Sequence, residues 1–219
     1  MIDTPALITA LSADMSPVRR LKPPVLRAFG WLGCAAVLLM LLAVNRGIRP
    51  DLAERLQDAA FATSIAAAIV TGMLAAIAAF LISLPDRSRL WLLLPLPSLA
   101  VWLSNVGYQC LTHWVVIGPE GISPGEAMRC FSTLALAGMP LSLLLVVMLR
   151  YAAPLRPTAV AVTGSLAVGA LTAAALSLFH TIDASAMILM WNIGTALLFA
   201  GIAAVFGPST MGWVASRMN

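Results

Sequence analysis

The chain has 219 residues, of which 61% are hydrophobic and 10% charged, and its mean hydropathy is +0.95. Soluble domains carry about 25% charged residues, so this chain has too little polar surface to cover a particle in water. That excludes a cytosolic enzyme, a nucleic-acid-binding module and a disordered chain, and it leaves an integral membrane protein. The net charge of +4 comes from 13 basic and 9 acidic residues, and three cysteines in such a length make no disulfide framework.

The first predicted element is a short amphipathic helix. Thr4-Pro5 supplies a capping hydroxyl followed by a proline whose missing N–H costs nothing at a helix start. Leu7, Ile8, Leu11 and Met15 share one face, Ser12 and Asp14 lie off it, and Pro17 ends it. A basic stretch follows, with Arg19, Arg20 and Lys22 before Pro23-Pro24. Two readings fit: a helix resting on an anionic leaflet, or a docking peptide that lays its apolar face into the groove of a cytoplasmic protein.

Six stretches are long and apolar enough to cross a bilayer, at about residues 25–44, 59–83, 90–110, 128–149, 158–180 and 185–207. The fold class is therefore all-α, a polytopic bundle of six transmembrane helices. Residues 1–24 form an N-terminal cytoplasmic segment, 25–207 the membrane domain and 208–219 a cytoplasmic tail. The first span is read as a retained anchor rather than a cleaved leader, because more than 20 residues precede it and no small-x-small cleavage pattern follows it. Asp51, Glu54, Arg55 and Asp58 suggest a short charged surface helix in the first loop, and Thr181-Ile182-Asp183-Ala184 leaves room only for a tight hairpin between the last two spans.

Orientation follows from the basic residues. Arg19, Arg20, Lys22, Arg27, Arg87, Arg89, Arg150, Arg156 and Arg217 fall on one side, against Arg46, Arg49, Arg55 and Arg129 on the other, a split of nine to four. By the positive-inside bias both termini face the cytoplasm. Arg27, Arg129 and His180 lie at span ends, where their side chains are expected to reach the headgroups or water.

Within the spans there is little chemistry. Pro95 and Pro97 interrupt the third span and Pro140 the fourth, and Asn105 and Asn192 are intramembrane amides. Such features occur in transport paths, but prolines are also tolerated as packing features in membrane helices. Ala68, Gly72 and Ala76, and again Ser165, Gly169, Ala173 and Ser177, form small-residue faces suited to close helix packing. Trp91, Trp114, Trp191 and Trp213 fall toward span ends as interfacial anchors, whereas Trp102 lies deeper. No nucleophile, base and acid can be assembled from two histidines and a bundle without carboxylates, so no enzyme and no cofactor are expected.

The non-cytoplasmic side is chemically richer. Cys110 ends the third span, Cys130 opens the fourth, and His113 and His180 lie at the same level, whereas Cys34 sits inside the first span as a packing residue. Outside a bacterial inner membrane a thiol meets oxidants, and a Cys/His set suits a soft metal ion. A bridge between Cys110 and Cys130 requires Cα atoms within about 7 Å. His180 beside Asp183 also suits simple capping of a helix end.

Several stretches carry a family resemblance: Leu11-Ser12-Ala13-Asp14 through Pro17-Val18-Arg19-Arg20-Leu21-Lys22-Pro23-Pro24, Ser83-Leu84-Pro85-Asp86-Arg87-Ser88-Arg89 and Cys130-Phe131. Arg150-Tyr151-Ala152-Ala153-Pro154-Leu155-Arg156-Pro157, His180 with Asp183-Ala184-Ser185, and Trp191 follow in the same order. Over nearly its whole length the chain resembles the NrsF-like membrane regulators of proteobacteria, negative regulators of extracytoplasmic-function sigma factors. The resemblance implies an anti-sigma factor in the bacterial inner membrane, with a sigma factor as partner, the bilayer as surroundings, and release on metal or oxidant stress. It implies a sensing role for Cys130, whereas the family's second cysteine, directly after the histidine, is replaced by Thr181. Either Cys110 takes its place, or a single thiol with His180 does the sensing, or this member responds to another signal. The sigma-binding face is then expected at Leu7, Ile8, Leu11 and Met15, with charge from Arg19, Arg20 and Lys22. Self-association is left open. The alternatives are a small transporter or channel subunit and an assembly partner of a larger membrane complex.

Overall fold

The structure is a computed structural model that describes residues 4–13, 22–113, 124–149, 156–179 and 201. In chain order the described elements are α1 (Thr4–Ala13), α2 (Pro24–Arg46), α3 (Leu52–Arg55), α4 (Ala59–Ile82), a 3-10 helix (Arg89–Leu93), α5 (Leu96–His113), α6 (Pro124–Leu149) and α7 (Pro157–Phe179). No strand occurs among the described residues. The expected sixth span and the C-terminal tail lie outside them, apart from Gly201 in a helix. Among the described residues four stretches are long and apolar enough to cross a membrane: Pro24–Arg46, Ala59–Ile82, Arg89–Tyr108 and Thr158–Phe179. In α6 the apolar part is the shorter Ala135–Leu149.

Local chemistry sets the helix boundaries. Pro24 opens α2 where no N–H is needed, and Gly47 closes it at a φ of 78°, its N–H donating to the Ala43 carbonyl at 3.0 Å. The predicted charged helix of the first loop is present as the single turn of α3. Asp58 belongs to the next element, where its Oδ1 accepts from the Ala60 N–H at 3.0 Å and caps α4. Pro95 and Pro97 divide the third span, as expected: a 3-10 turn precedes them and α5 begins at Leu96. Ser88 caps the 3-10 turn by accepting from the Leu90 N–H at 3.2 Å. Pro140, by contrast, is accommodated inside a continuous α6.

Helices α4 and α7 pack on each other at the centre, with α5 against α4, α6 against α7, and α2 against both α4 and α6. In α4 and α7, 67% of the apolar window is buried, against 17% in α2, so the middle pair is enclosed and α2 is peripheral. The central contact is close because Ala68, Gly72 and Ala76 are all buried. A Cβ on Gly72 would lie 2.7 Å from Leu171 Cγ and 3.3 Å from the Ala167 carbonyl oxygen. Backbones approach through small residues where a lipid environment supplies no hydrophobic driving force between helices.

The small-residue face predicted on α7 is shifted. Of Ser165, Gly169, Ala173 and Ser177, only Ala173 is fully buried, and the deepest stripe includes Val160, Gly164, Ala167, Val168 and Leu171. The serines bond back to their own helix, Ser165 to the Ala161 carbonyl at 2.6 Å and Ser177 to Ala173 at 3.1 Å, so neither requires the core. The main core cluster joins α2, α4, α6 and α7 through Trp31, Phe80, Leu141, Leu145, Val160 and Val168.

Candidate functional site

The two ends of the bundle carry its chemistry, and each is built around an arginine. At one end Arg27, in the first turn of α2, stacks over the Phe80 ring at 5.3 Å and donates to the Met148 carbonyl. Met148 belongs to the last turn of α6, whose carbonyls have no partner within the helix, and a cation there also complements the helix dipole. Arg27 was expected to reach outward to headgroups; instead it turns inward and caps a neighbouring helix. One turn further along α2, Trp31 is fully buried and its indole N–H donates to the Leu141 carbonyl at 3.2 Å. At the same end Arg156 Nη1 donates to the Arg87 carbonyl at 2.9 Å and Nη2 to that of Pro85 at 3.4 Å, fastening the 83–89 loop to the start of α7.

At the opposite end Arg49 is buried, with 2% of its side chain exposed. Its Nε donates to Asp51 Oδ1 at 2.8 Å and its Nη2 to Oδ2 at 2.6 Å, a two-pronged pair. The guanidinium lies over the Phe61 ring at 5.6 Å, and the Arg49 backbone N–H donates to the Leu178 carbonyl at 3.2 Å. The loop after α2 is thereby pinned to α4 and to the C-terminus of α7. The hydrogen bond from Arg49, together with the nearby charge of Arg55, holds the Asp51 carboxyl at about 2, well below the usual 3.8. The Arg49-Pro50-Asp51 triplet is legible in the sequence as the break after the first span but not as an ion pair; a turn there, with the Leu52 N–H donating to the Arg49 carbonyl at 3.3 Å, lets the two side chains meet. Trp31 was also missed, although Arg27, Trp31 and Ala35 recur at four-residue spacing on α2.

The expected sensing residues fall at the Arg49 end as far as the backbone places them. Cys110 and His113 are in the last turn of α5, and Cys130 is in the second turn of α6. Their helices have different principal neighbours, α4 for α5, and α7 with α2 for α6. His180 lies outside the described residues, directly after α7. Among the described residues no group of three His, Cys, Asp or Glu side chains converges as metal ligands would. Cys34, expected as a packing residue, is instead a free thiol exposed on the outside of α2.

Of the expected partner-binding face, Leu7, Ile8 and Leu11 lie on α1, where Ile8 is 61% exposed. Lys22 is exposed before α2, and Met15, Arg19 and Arg20 lie outside the described residues. Of the intramembrane amides suggestive of a transport path, Asn192 lies outside the described residues, and Asn105 is satisfied close by. Asn105 Nδ2 donates to the Val101 carbonyl at 3.0 Å, and Thr71 and Thr172 bond carbonyls one turn back in their own helices.

A bundle of apolar helices of membrane-spanning length, with arginine clamps at its ends, defines a helical protein suited to a bilayer. The chain belongs to the NrsF family, described as negative regulator of sigma F, whose match covers residues 11–213. It is thus a member of a family of transcription regulators, not of an enzyme class, and the partner its family name implies is a sigma factor. No curated protein and no solved structure matches the chain.

Proposed function

We propose that this chain is a multi-pass anti-sigma factor of the bacterial inner membrane, which holds an extracytoplasmic-function sigma factor at the cytoplasmic face and releases it under envelope stress. The observation that carries the reading is the family match over residues 11–213, which begins inside α1 and runs through every described membrane-length helix. The sorting of basic residues supports a cytoplasmic position for the Arg27 end and for both termini. The exposed Ile8 on α1, with Leu7 and Leu11 on the same helix, supports an apolar docking face. By its spacing in the sequence Met15 extends that apolar pattern, and Arg19, Arg20 and Lys22 add charge complementary to an acidic groove.

Sensing belongs to the other end. Cys130, with Cys110, His113 and His180 at the same side, is the set that an oxidant or a soft metal ion meets first. Moving a two-state bundle from 99:1 to 1:99 takes about 5.5 kcal/mol of differential stabilisation. A well-placed disulfide or metal site supplies that order of energy.

The test is capture of the cognate sigma factor by the purified, detergent-solubilised chain with and without residues 1–18. Capture by the full chain and its loss on truncation is the expected result. Undiminished capture by the truncated chain rejects α1 as the docking element, and no capture by either chain rejects the sigma-factor reading itself.

A further inference from the structure

Where the 83–89 loop enters the third span, the surface joins two chemistries that seldom share a patch in water. Arg87 and Arg89 are exposed, and the next residues of the 3-10 helix and the start of α5 expose Leu90 (72%), Leu93 (54%) and Leu96 (47%). A 3-10 helix has three residues per turn, so Leu90 and Leu93 stand above one another on a single ridge, and Leu96 follows at the same spacing. Trp91, 37% exposed, stands beside that ridge at the position where an interfacial indole belongs.

The loop is not a loose tether. Arg156 donates to the carbonyls of Arg87 and Pro85, and the Ser88 side chain closes the turn on the Leu90 N–H. Two arginines, Arg87 and Arg89, therefore sit on a loop held by a third, Arg156, against one loop carboxylate, that of Asp86. Asp86 makes only an open contact with Arg87 at 3.7 Å, with 69% and 47% of the two side chains exposed, which leaves the guanidinium available.

We propose that this loop and the 3-10 helix bind one anionic phospholipid, its phosphate against Arg87 and Arg89 and its acyl chains along Leu90, Leu93 and Leu96. An acidic peptide answers the arginines but leaves the leucine ridge uncovered, and a neutral lipid answers the ridge alone. A phospholipid carrying net negative charge meets both with one molecule, at the boundary where its own polar and apolar parts divide. Arg156 acts here as a positioning residue, since its donors are spent on the loop carbonyls. The inference rests on the membrane reading above but is independent of the sigma-factor partner.

The full chain is reconstituted into nanodiscs containing equal parts of phosphatidylglycerol and phosphatidylcholine, and the lipids retained on release are counted by native mass spectrometry. Two arginines at an anionic surface predict a preference for phosphatidylglycerol of about tenfold or more. Arg87→Gln with Arg89→Gln abolishes that preference while the melting temperature in pure phosphatidylcholine stays unchanged, and the Lys/Lys variant keeps it. Equal retention of the two lipids by the unaltered chain overturns the site. So does a Gln/Gln variant that keeps its phosphatidylglycerol, and if that variant instead loses capture of the sigma factor, the patch is a protein-docking surface. A chain that does not enter the discs at all overturns the membrane reading, and the lipid site with it.

Discussion

The Arg49–Asp51 pair shows how unequal the two halves of one ion pair are. Arg49 is buried and Asp51 partly exposed, so removing the carboxylate takes the two-pronged partner from a buried guanidinium, whereas removing the arginine leaves a carboxylate beside Arg55 at 3.8 Å. Asp51→Asn is therefore expected to lower the melting temperature more than Arg49→Met at neutral pH, as read by thermal unfolding in detergent; the reverse order contradicts the burial argument. The pH dependence has a definite sign. The Asp51 carboxyl is depressed in the folded state, so its stabilisation is complete above 3.8 and drains away as pH falls from there toward about 2. Unfolding curves taken across that window should lose less stability in Asp51→Asn than in the unaltered chain. Trp31 separates packing from hydrogen bonding: Trp31→Phe loses one donor, about 1 kcal/mol, whereas Trp31→Ala empties a fully buried site, about 3–5 kcal/mol. These residues were hard to read in advance because their roles depend on partners far along the chain, Leu141 for Trp31 and Leu178 for Arg49. Nothing within a few residues of Arg27 says that its guanidinium caps α6 instead of meeting headgroups.

Elements were far more legible than residues, and the reason is that the signals there are local. A run of about 20 apolar residues has few alternatives to a helix, and proline, glycine and charged clusters mark where it stops. Pro95 and Pro97 divided the third span as their chemistry requires, and the charged first loop formed α3, with Asp58 as the cap of α4. The face of α7 was not legible, because small residues lie on more than one side of that helix and only its neighbours decide which side is inside. Ala68, Gly72 and Ala76 on α4 were read correctly because a glycine flanked at four-residue intervals has one good use, close approach. Gly72→Ala is expected to destabilise the bundle by about 1–3 kcal/mol through overpacking, and Leu171→Ala in the same chain should relieve part of that loss. If the double variant loses as much stability as the two single variants added together, the α4–α7 contact is not what the glycine serves.

At the scale of the whole molecule, α7 is fastened at both ends, by Arg156 to the 83–89 loop and by Arg49 to the loop after α2. The same helix is mostly buried against α4 along its length. A change of packing at one end thus has a rigid element through which to reach the other, as the proposed sensing and release require. The proposed thiol chemistry has its own test: Cys130→Ser should blunt sigma-dependent transcription under oxidant or cadmium, and an unaltered response removes that thiol from the mechanism. The central claim is that a sigma factor is kept inactive by being held at a membrane, and cell fractionation measures it most directly. With this chain present and no stress applied, the cognate sigma factor should sediment with the membranes and its target promoters should be silent. On deletion of the chain it should move to the soluble fraction and those promoters should fire. A sigma factor that stays soluble whether or not the chain is present contradicts the account.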